Sequence, residues 1–350
     1  MTLKQNSGQS GFTLIELMIG MLIGLVIVGA VVEVVMSSVI FFRTQSGLAK
    51  LQENARYATN FIAQDVRLSG YMGCDINATQ VNVIADNSNA VPDELSFSQT
   101  LSGFDNVLVS SHTYGAGANI VTVDEGTDVL ELKYASTRNI CEIATHNTSS
   151  ATFSCQSAHP FVKNTPLIAT DCSQSAIFLQ SNNSTTDINH GLMVGLNPKN
   201  CVANLGKGAA KCTAPPYQFT SGSIMALNSL VYFVAQNDLG QPALYRQTTS
   251  IDAAGALTNN PREIVEGVED IQFLYGQDTT NDGSVNLYAP ASAVDFAEVI
   301  SLRVDILLRS IEDNLVDAPQ TYDFSGRTII ATDRRLRKVV STTIALRNRL

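Results

Sequence analysis

The chain opens with a long, almost uninterrupted run of apolar residues. Between residues 12 and 32 the only charged residue is Glu16, and there is no proline. As a helix this stretch would span about 31 Å at 1.5 Å per residue, which matches the hydrocarbon core of a bilayer. The pattern therefore predicts a transmembrane helix over residues 12–32.

A secretory signal peptide is the alternative interpretation of this run. The run is too long for the apolar region of such a peptide, and no small-residue cleavage site follows it. The small residues Ser7, Gly8, Ser10 and Gly11 precede the run instead. A cut at that point would remove a short polar leader, residues 1–11, and would keep the helix.

A second helical pattern continues directly from the first. Apolar and small residues recur at spacings of three and four, which places them on one face of a helix. These residues are Leu48, Leu51, Ala55, Ala58, Ile62 and Val66. Because Ser69-Gly70 provides a stop, one helix is predicted over residues 12–70, with a membrane half and an amphipathic half that packs on a globular domain.

Alternating apolar and polar positions predict strands in the remainder of the chain. The predicted strands are residues 128–134, 231–235, 243–246, 271–275, 300–309 and 339–346. The second and third flank residues 237–240, a hairpin turn candidate. Residues 141–216 are rich in Ser, Thr, Asn, Gly and Cys, which predicts long loops or a small disulfide-tied subdomain. The predicted fold class is α+β, with residues 71–350 as one antiparallel β-rich domain.

The cysteines add a redox argument. All six follow the apolar run, and no pair has C-x-x-C spacing. An even count beyond a membrane segment predicts disulfides in an oxidising compartment, with buried free thiols as the alternative. Proximity along the chain favours Cys141–Cys155 and Cys201–Cys212, which leaves Cys74–Cys172.

Glu16 is the unusual residue of the apolar run. A carboxylate at the centre of a membrane helix costs about 2.5–3.5 kcal/mol by insertion scales, and less near an edge. Two explanations are open: Glu16 lies near the lipid headgroups, or a neighbouring chain supplies a cation. Gly20 and Gly24 have the small-residue spacing that permits close helix contact.

The residues around Glu16 carry a family resemblance. Gly11-Phe12-Thr13-Leu14-Ile15-Glu16 resembles the processing site of type IV pilins and pseudopilins. The resemblance implies that a prepilin peptidase cuts after Gly11 and that the new terminal residue, Phe12, is N-methylated. It also implies that Glu16 pairs with the terminal amine of a neighbouring subunit during assembly, which would neutralise the carboxylate.

The second half of the chain narrows the resemblance. The stretches 67–74, 270–276 and 278–283, with Arg303-Val304 and the closing Arg347-Asn348, are similar to PilW-type minor pilins. The resemblance implies a structural subunit of the type IV pilus that helps to initiate assembly at or near the tip. It would support motility, adhesion or DNA uptake. Residues 90–220 contain no matching motif.

The resemblance also implies partners and a location. The partners would be a prepilin peptidase, other minor and major pilins, and a PilY-type tip adhesin. The chain would cross the inner membrane once with a periplasmic domain, and would then enter the pilus at the cell surface. With a net charge of -10, the chain lacks the basic character that nucleic-acid binding requires.

Two other functions stay open at this point, and a third is disfavoured. A J-type minor pseudopilin of a type II secretion system would share the processing motif, and a pilin-anchored adhesin would bind its ligand through residues 90–220. An anchored enzyme would need a catalytic constellation, but the chain contains no G-x-S-x-G, P-loop or H-E-x-x-H motif. We therefore predict that the protein is not an enzyme, and we interpret its four histidines as solvated or structural.

Two polar clusters remain. Oxygen-bearing side chains alternate as in the first part of a calcium loop, at Asp278, Thr280, Asp282, Ser284 and Asn286. The twelfth position is Ala289 instead of Glu, so a polar β-turn is favoured and calcium is the only candidate cofactor. Basic residues gather at the C-terminus and predict the solvated face of the last strand, with an interface for an acidic partner or DNA as the alternative: Arg334, Arg335, Arg337, Lys338, Arg347 and Arg349.

Overall fold

The computed structural model describes residues 13–73, 79–108, 112–115, 120–207 and 211–349. A single long helix, α1 (Leu14–Leu68), has 55 residues and is therefore about 82 Å long. Thr13 caps its first turn, and Gly70 follows its end with a φ of 80°, a left-handed conformation that glycine adopts without strain. The observed bounds lie within the predicted range of 12–70.

Helix α1 has two halves with different surroundings. All large apolar side chains from Leu14 to Phe42 are exposed, and α1 is long and apolar enough to cross a membrane by length and composition. The second half buries the predicted stripe against the sheets, and only Leu48 of that stripe is half-buried. The fully buried members are Leu51, Ala55, Ala58, Ile62 and Val66.

The rest of the described chain is β-rich, with five single 3-10 turns. The strands before residue 141 are β1 (Thr79–Asn82), β2 (Ile84–Ala85), β3 (Leu101–Phe104), β4 (Thr113–Tyr114), β5 (Val121–Thr122) and β6 (Val129–Ala135). Those in the middle are β7 (Cys141–Asn147), β8 (Thr152–Cys155), β9 (Pro166–Thr170), β10 (Gln174–Leu179), β11 (Asp187–Asn189) and β12 (Lys199–Asn200).

The last part of the chain holds the longest strands. They are β13 (Ser223–Gln236), β14 (Pro242–Ile251), β15 (Leu257–Glu266), β16 (Val268–Gln277), β17 (Leu287–Ala289), β18 (Val299–Arg309), β19 (Thr321–Phe324), β20 (Arg327–Ile330) and β21 (Arg337–Ala345). The 3-10 turns are Asp93–Leu95, Lys211–Thr213, Ala291–Ala293, Phe296–Glu298 and Arg347–Arg349. Each predicted strand overlaps one of these, and β13 and β14 form the predicted hairpin.

Two sheets cover the second half of α1. The larger has 11 strands centred on β13, which pairs with β7 and β9 through its first residues and with β6 and β14 further on. The smaller has the order β17-β16-β18-β21. All their pairings are antiparallel except that of β1 with β10. The main core lies between these sheets and the stripe of α1, around Leu132, Tyr232, Phe273 and Leu302.

The middle of the chain differs from the prediction. Residues 141–216 are not mainly long loops, because they contribute strands β7 to β12 and enclose a core around Phe153, Phe178 and Phe219. Composition misled here because Ser, Thr and Asn occur within the strands, as at Thr145, Thr152 and Ser154, as well as in the turns between them. These residues suit a strand surface but also signal turns. The region is also disulfide-tied, as the alternative interpretation held.

Two disulfides fasten this region. Cys141 is bonded to Cys155, which joins β7 to β8, and Cys201 is bonded to Cys212. These are the two pairs that proximity along the chain favours. Cys172 is also disulfide-bonded. The predicted pair Cys74–Cys172 includes Cys74, which lies outside the described residues.

Candidate functional site

The start of α1 holds the carboxylate that the sequence singled out. Glu16 accepts hydrogen bonds from the backbone N–H of Thr13 at 3.0 Å and from its hydroxyl at 2.9 Å, while Thr13 Oγ1 accepts from the Glu16 N–H. This reciprocal capping box satisfies donors at the helix end, where negative charge is favoured. The Glu16 carboxylate therefore lies at the start of α1. The predicted cleavage residues, Gly11 and Phe12, lie outside the described residues.

A second carboxylate, on the buried face of α1, was missed by the sequence analysis. Asp65 is 6% exposed and accepts hydrogen bonds from the hydroxyls of Tyr134 and Tyr232 and from Arg246 Nε at 2.9 Å. Burial, reinforced by the charge of Asp65, raises the pKa of Tyr134 and Tyr232, so both hydroxyls remain donors. This Asp65 cluster fastens α1 to β6, β13 and β14.

The Asp65 cluster was detectable in principle. Asp65 follows Ile62 by three residues and therefore falls on the apolar stripe. A charged residue on a buried stripe requires partners, because an unpaired buried carboxylate is strongly unfavourable. Its partners are 69, 167 and 181 residues away along the chain, so no local pattern identifies them.

The end of α1 is held by the last residues of the chain. Asn348 Nδ2 donates to the carbonyls of Arg67 at 3.1 Å and Ser69 at 3.4 Å. Ser69 Oγ in turn donates to the carbonyl of Thr100 at 2.8 Å. The terminal carbonyls of a helix have no partner within the helix, and Asn348 supplies a donor for that end. This contact gives a structural role to Asn348, one of the two residues of the closing Arg347-Asn348 pair.

A third contact holds α1 near the exposed half. Residues 310–317, here the base loop, place Leu315 against Gly47, where a Cβ would lie 2.7 Å from Leu315 Cδ1. The hydroxyl of Thr44 donates to the carbonyl of Leu315 at 3.0 Å. Gly47 therefore forms a notch in α1 that accepts the side chain of Leu315.

Arg335 contacts the base loop and the Arg337 side chain is buried, so the prediction that the C-terminal basic residues form a solvated face is wrong for these two. Arg334 and Arg347 are exposed, as predicted. The Arg337 side chain is 5% exposed and pairs with Glu269 at 2.7 Å and with Asp333. Arg335 donates to the carbonyls of Ser310 and Ile311. The prediction failed because alternation along β21 shows which residues share a face but does not show which loop covers that face.

The predicted calcium loop forms a tight polar turn. The Asp278 carboxylate accepts hydrogen bonds from the backbone N–H groups of Thr280, Asp282 and Gly283 at 3.1, 3.3 and 2.7 Å. Asn286 Oδ1 accepts from the Thr279 N–H, and Ser284 donates its N–H to Asp282. This geometry is the polar β-turn that was favoured. Calcium binding by Asp278, Thr280, Asp282, Ser284 and Asn286 stays a prediction.

Two of the histidines form a buried pair in the middle of the chain. His146 Nδ1 accepts from the Phe219 N–H at 3.2 Å, so the proton of neutral His146 lies on Nε2, which is 3.0 Å from His190 Nε2. Burial lowers the pKa of His146 to about 4 and that of His190 to about 3. Both rings are therefore neutral and structural. Among the described residues no group of three or more His, Cys, Asp or Glu could hold a metal.

Comparisons with known proteins give two family matches. The family described as Type IV Pilus-assembly protein W matches residues 231–348, and the Prokaryotic N-terminal methylation motif matches residues 6–32. No curated protein and no solved structure matches the chain. The first match includes Tyr232, Arg246 and Asn348, which anchor α1, and the base loop.

A prepilin methylation motif, one long apolar helix and a β-rich domain together define a type IV pilin-like protein. The predicted pilin-like α+β fold is thus confirmed. Within that class, the match over residues 231–348, about a third of the chain, supports a type IV minor pilin of the PilW family. The prepilin motif implies processing by a prepilin peptidase and assembly with other pilins. It also fits an inner-membrane anchor and a structural, non-enzymatic role.

Proposed function

We propose that this protein is a structural minor pilin that enters the type IV pilus through α1 and helps to initiate its assembly at or near the tip. The observation that carries the proposal is the contrast within α1. Its apolar first half is exposed over its whole length, while its second half is fastened to the sheets by the Asp65 cluster. An exposed apolar helix on a rigid domain suits a subunit whose partners are lipid first and other helices later.

The proposal gives each end of the molecule a role. The β-rich domain lies in the periplasm before assembly and faces outward afterwards, where it contacts other minor pilins and a PilY-type adhesin. This subunit then contributes to motility, adhesion and DNA uptake only as a part of the pilus. The J-type pseudopilin of a type II secretion system is the competing role, since the processed helix would serve it equally.

Mass spectrometry of the N-terminal peptide tests the proposal. The native protein is taken from membranes and from the sheared surface fraction. N-methylated Phe12 in both fractions is the expected result. N-methylated Phe12 confined to membranes would favour the pseudopilin role, and an intact Met1 leader would overturn the proposal. Replacing Gly11 should block removal of the leader and serves as the control.

Glu16→Val tests how the helix enters the fibre. The substitution should leave membrane insertion intact, because it removes a charge from an apolar segment. Incorporation into pili should fall, because the terminal amine of the neighbouring subunit loses its carboxylate. Quantitative immunoblots of surface and membrane fractions measure this. Unchanged incorporation at equal expression would contradict the proposed pairing, and Glu125→Val, at an exposed position of the globular domain, provides the control.

A further inference from the structure

Strand β21 forms one edge of the smaller sheet and lacks the features that protect exposed strands. It pairs with β18 through nine consecutive residues without a bulge. Residues 339–346, which include most of β21, contain no charge and no proline. Long edge strands usually carry such interruptions, because their unpaired backbone groups would otherwise recruit strands from other molecules. The edge formed by β21 is therefore unprotected.

The other long edge strand that the structure describes, β15, is protected. Pro261 lies at its centre and removes a backbone donor, and the charged residues Arg262 and Glu263 follow it. A register shift between Leu244 and Tyr245 also interrupts its pairing with β14. The remaining edge strands of the two sheets, β1, β3, β11 and β17, have only three or four residues. Among the described edge strands of these sheets, β21 alone combines length, regular pairing and a long uncharged stretch.

The hydrogen bonds at the two ends of β21 show which of its backbone groups point outward. The Leu346 N–H donates to the carbonyl of Ile300 at 2.9 Å, and the Ser310 N–H donates to the carbonyl of Leu336 at 2.8 Å. Even-numbered residues of β21 therefore bond to β18, and odd-numbered residues present their N–H and C=O groups on the other side. No residue that the structure describes binds the outward backbone groups of Val339, Ser341, Thr343 and Ala345.

The β19–β20 hairpin covers only the start of this edge. Gln320 Oε1 accepts a hydrogen bond from the Arg337 N–H, and the Arg337 guanidinium lies 5.9 Å from the centre of the Tyr322 ring. Beyond that point, three of the four outward residues are exposed. The free edge, residues 339–345, is about 23 Å long at 3.3 Å per residue, which is the length of an ordinary strand.

We propose that the free edge of β21 binds an extended segment of another protein, which adds a strand to the smaller sheet. Ile344 faces the core, whereas Thr343 and Ala345 face solvent, so the added strand continues one apolar face and one polar face. The segment therefore alternates apolar and small polar residues, and its backbone supplies most of the affinity. This contact goes beyond the proposed function and does not depend on entry into the pilus.

Charge distinguishes this partner from a second copy of the chain. Lys338 precedes the uncharged free edge and Arg347 follows it, and neither forms an ion pair with any residue that the structure describes. Full antiparallel pairing of residues 339–345 in two copies would bring Lys338 of one copy next to Arg347 of the other at both ends, which is unfavourable. A segment with acidic residues at both of its ends meets these cations instead. The partner segment is therefore acidic at its ends.

Binding of a synthetic peptide to the full-length protein in detergent micelles tests the inference. The probe has six alternating Val and Thr residues, two Glu residues at each end and a fluorescent label, and fluorescence anisotropy measures its binding. Saturable binding is expected. Thr343→Pro removes an outward N–H and should weaken binding about tenfold, because a hydrogen bond is lost and the proline ring obstructs the neighbouring strand. Thr343→Val keeps the N–H and is the matched control.

Two further peptides keep the test decisive if Thr343→Pro disturbs the fold. N-methyl groups on two adjacent central residues block both edges of the peptide and should abolish binding. Lys in place of the terminal Glu residues should weaken binding, because both ends of the free edge are basic. Failure to saturate, no effect of Thr343→Pro, or equal binding of either altered peptide would overturn the inference. A dimer of the protein alone that Thr343→Pro dissociates would also overturn it, since β21 would then bind a second copy.

Discussion

The two halves of α1 form one continuous helix, yet the carboxylates on the two halves differ in their hydrogen-bond and ion-pair partners. In the second half, Asp65 is buried and all its partners come from the same chain. In the first half, Glu33 has no partner among the described residues, and Glu16 bonds only to Thr13 next to it. Asp65 is therefore an internal anchor of the helix, whereas in the proposed function Glu16 is an assembly contact whose partner comes from another subunit.

Removing the internal anchor should have the largest effect. Asp65→Ala leaves Arg246 and two tyrosine hydroxyls without their acceptor, and should lower the free energy of unfolding by about 3–5 kcal/mol. Chemical denaturation of the full chain in detergent, followed by tyrosine fluorescence, measures this loss. Asp238→Ala, at the exposed hairpin turn, is the matched control. Equal stability of the two variants would show that the Asp65 cluster does not hold α1 to the sheets.

Acid should destabilise the globular domain more than it destabilises helix α1. The pKa values of His146 and His190 are lowered in the folded state, so unfolding takes up protons below pH 6.5. Stability is fully present above pH 6.5. It should fall as the pH drops from 6.5 towards 4, by up to about 1.4 kcal/mol per pH unit for each ring. Helical circular dichroism of α1 should change less than tyrosine fluorescence.

A double replacement, His146→Phe with His190→Leu, tests the cause of that acid sensitivity. The slope of unfolding free energy against pH should become shallower between pH 6.5 and 4, because fewer groups take up protons on unfolding. The slope is meaningful even if the variant is less stable overall. An unchanged slope would assign the acid sensitivity to other groups, such as His159, whose pKa burial also lowers.

Filling the notch at Gly47 should have the smallest effect. Gly47→Val places new atoms where Leu315 packs, and should cost about 1–3 kcal/mol as an overpacked contact. Ala49→Val, at an exposed position of the same turn, is the control. Limited proteolysis of the base loop measures the change. Equal cleavage in both variants would show that the base loop can move away from α1 without loss.

The sequence predicted those parts of the fold that depend on local pattern. The long helix, its buried stripe and the strands β6, β16 and β18 follow from spacing alone, because each residue's environment is set by its neighbours within a few positions. The processing motif is equally local. The resemblance to PilW-type minor pilins was drawn from residues 67–74 and from stretches between residues 270 and 348, and the family match supports it over residues 231–348.

The parts that were missed depend on contacts between distant residues. The partners of Asp65 come from three strands, and the burial of Arg337 depends on Glu269, 68 residues earlier. Strands β7 to β12 were missed because Ser, Thr and Asn within and between them are the residue types that also indicate turns. The notch at Gly47 accepts Leu315, which lies 268 residues later, so no single stretch of sequence reveals this contact.

The attachment of α1 has a mechanical consequence. The helix is held at Thr44 by the base loop, at Asp65 by three strands and at Arg67 by Asn348. These points span 23 residues, or about 35 Å of helix axis. A pull along that axis therefore strains the three attachments side by side, as a shear, and does not peel them apart one after another. The globular domain should therefore remain attached to α1 under a tension that would detach a domain held at only one end of the helix.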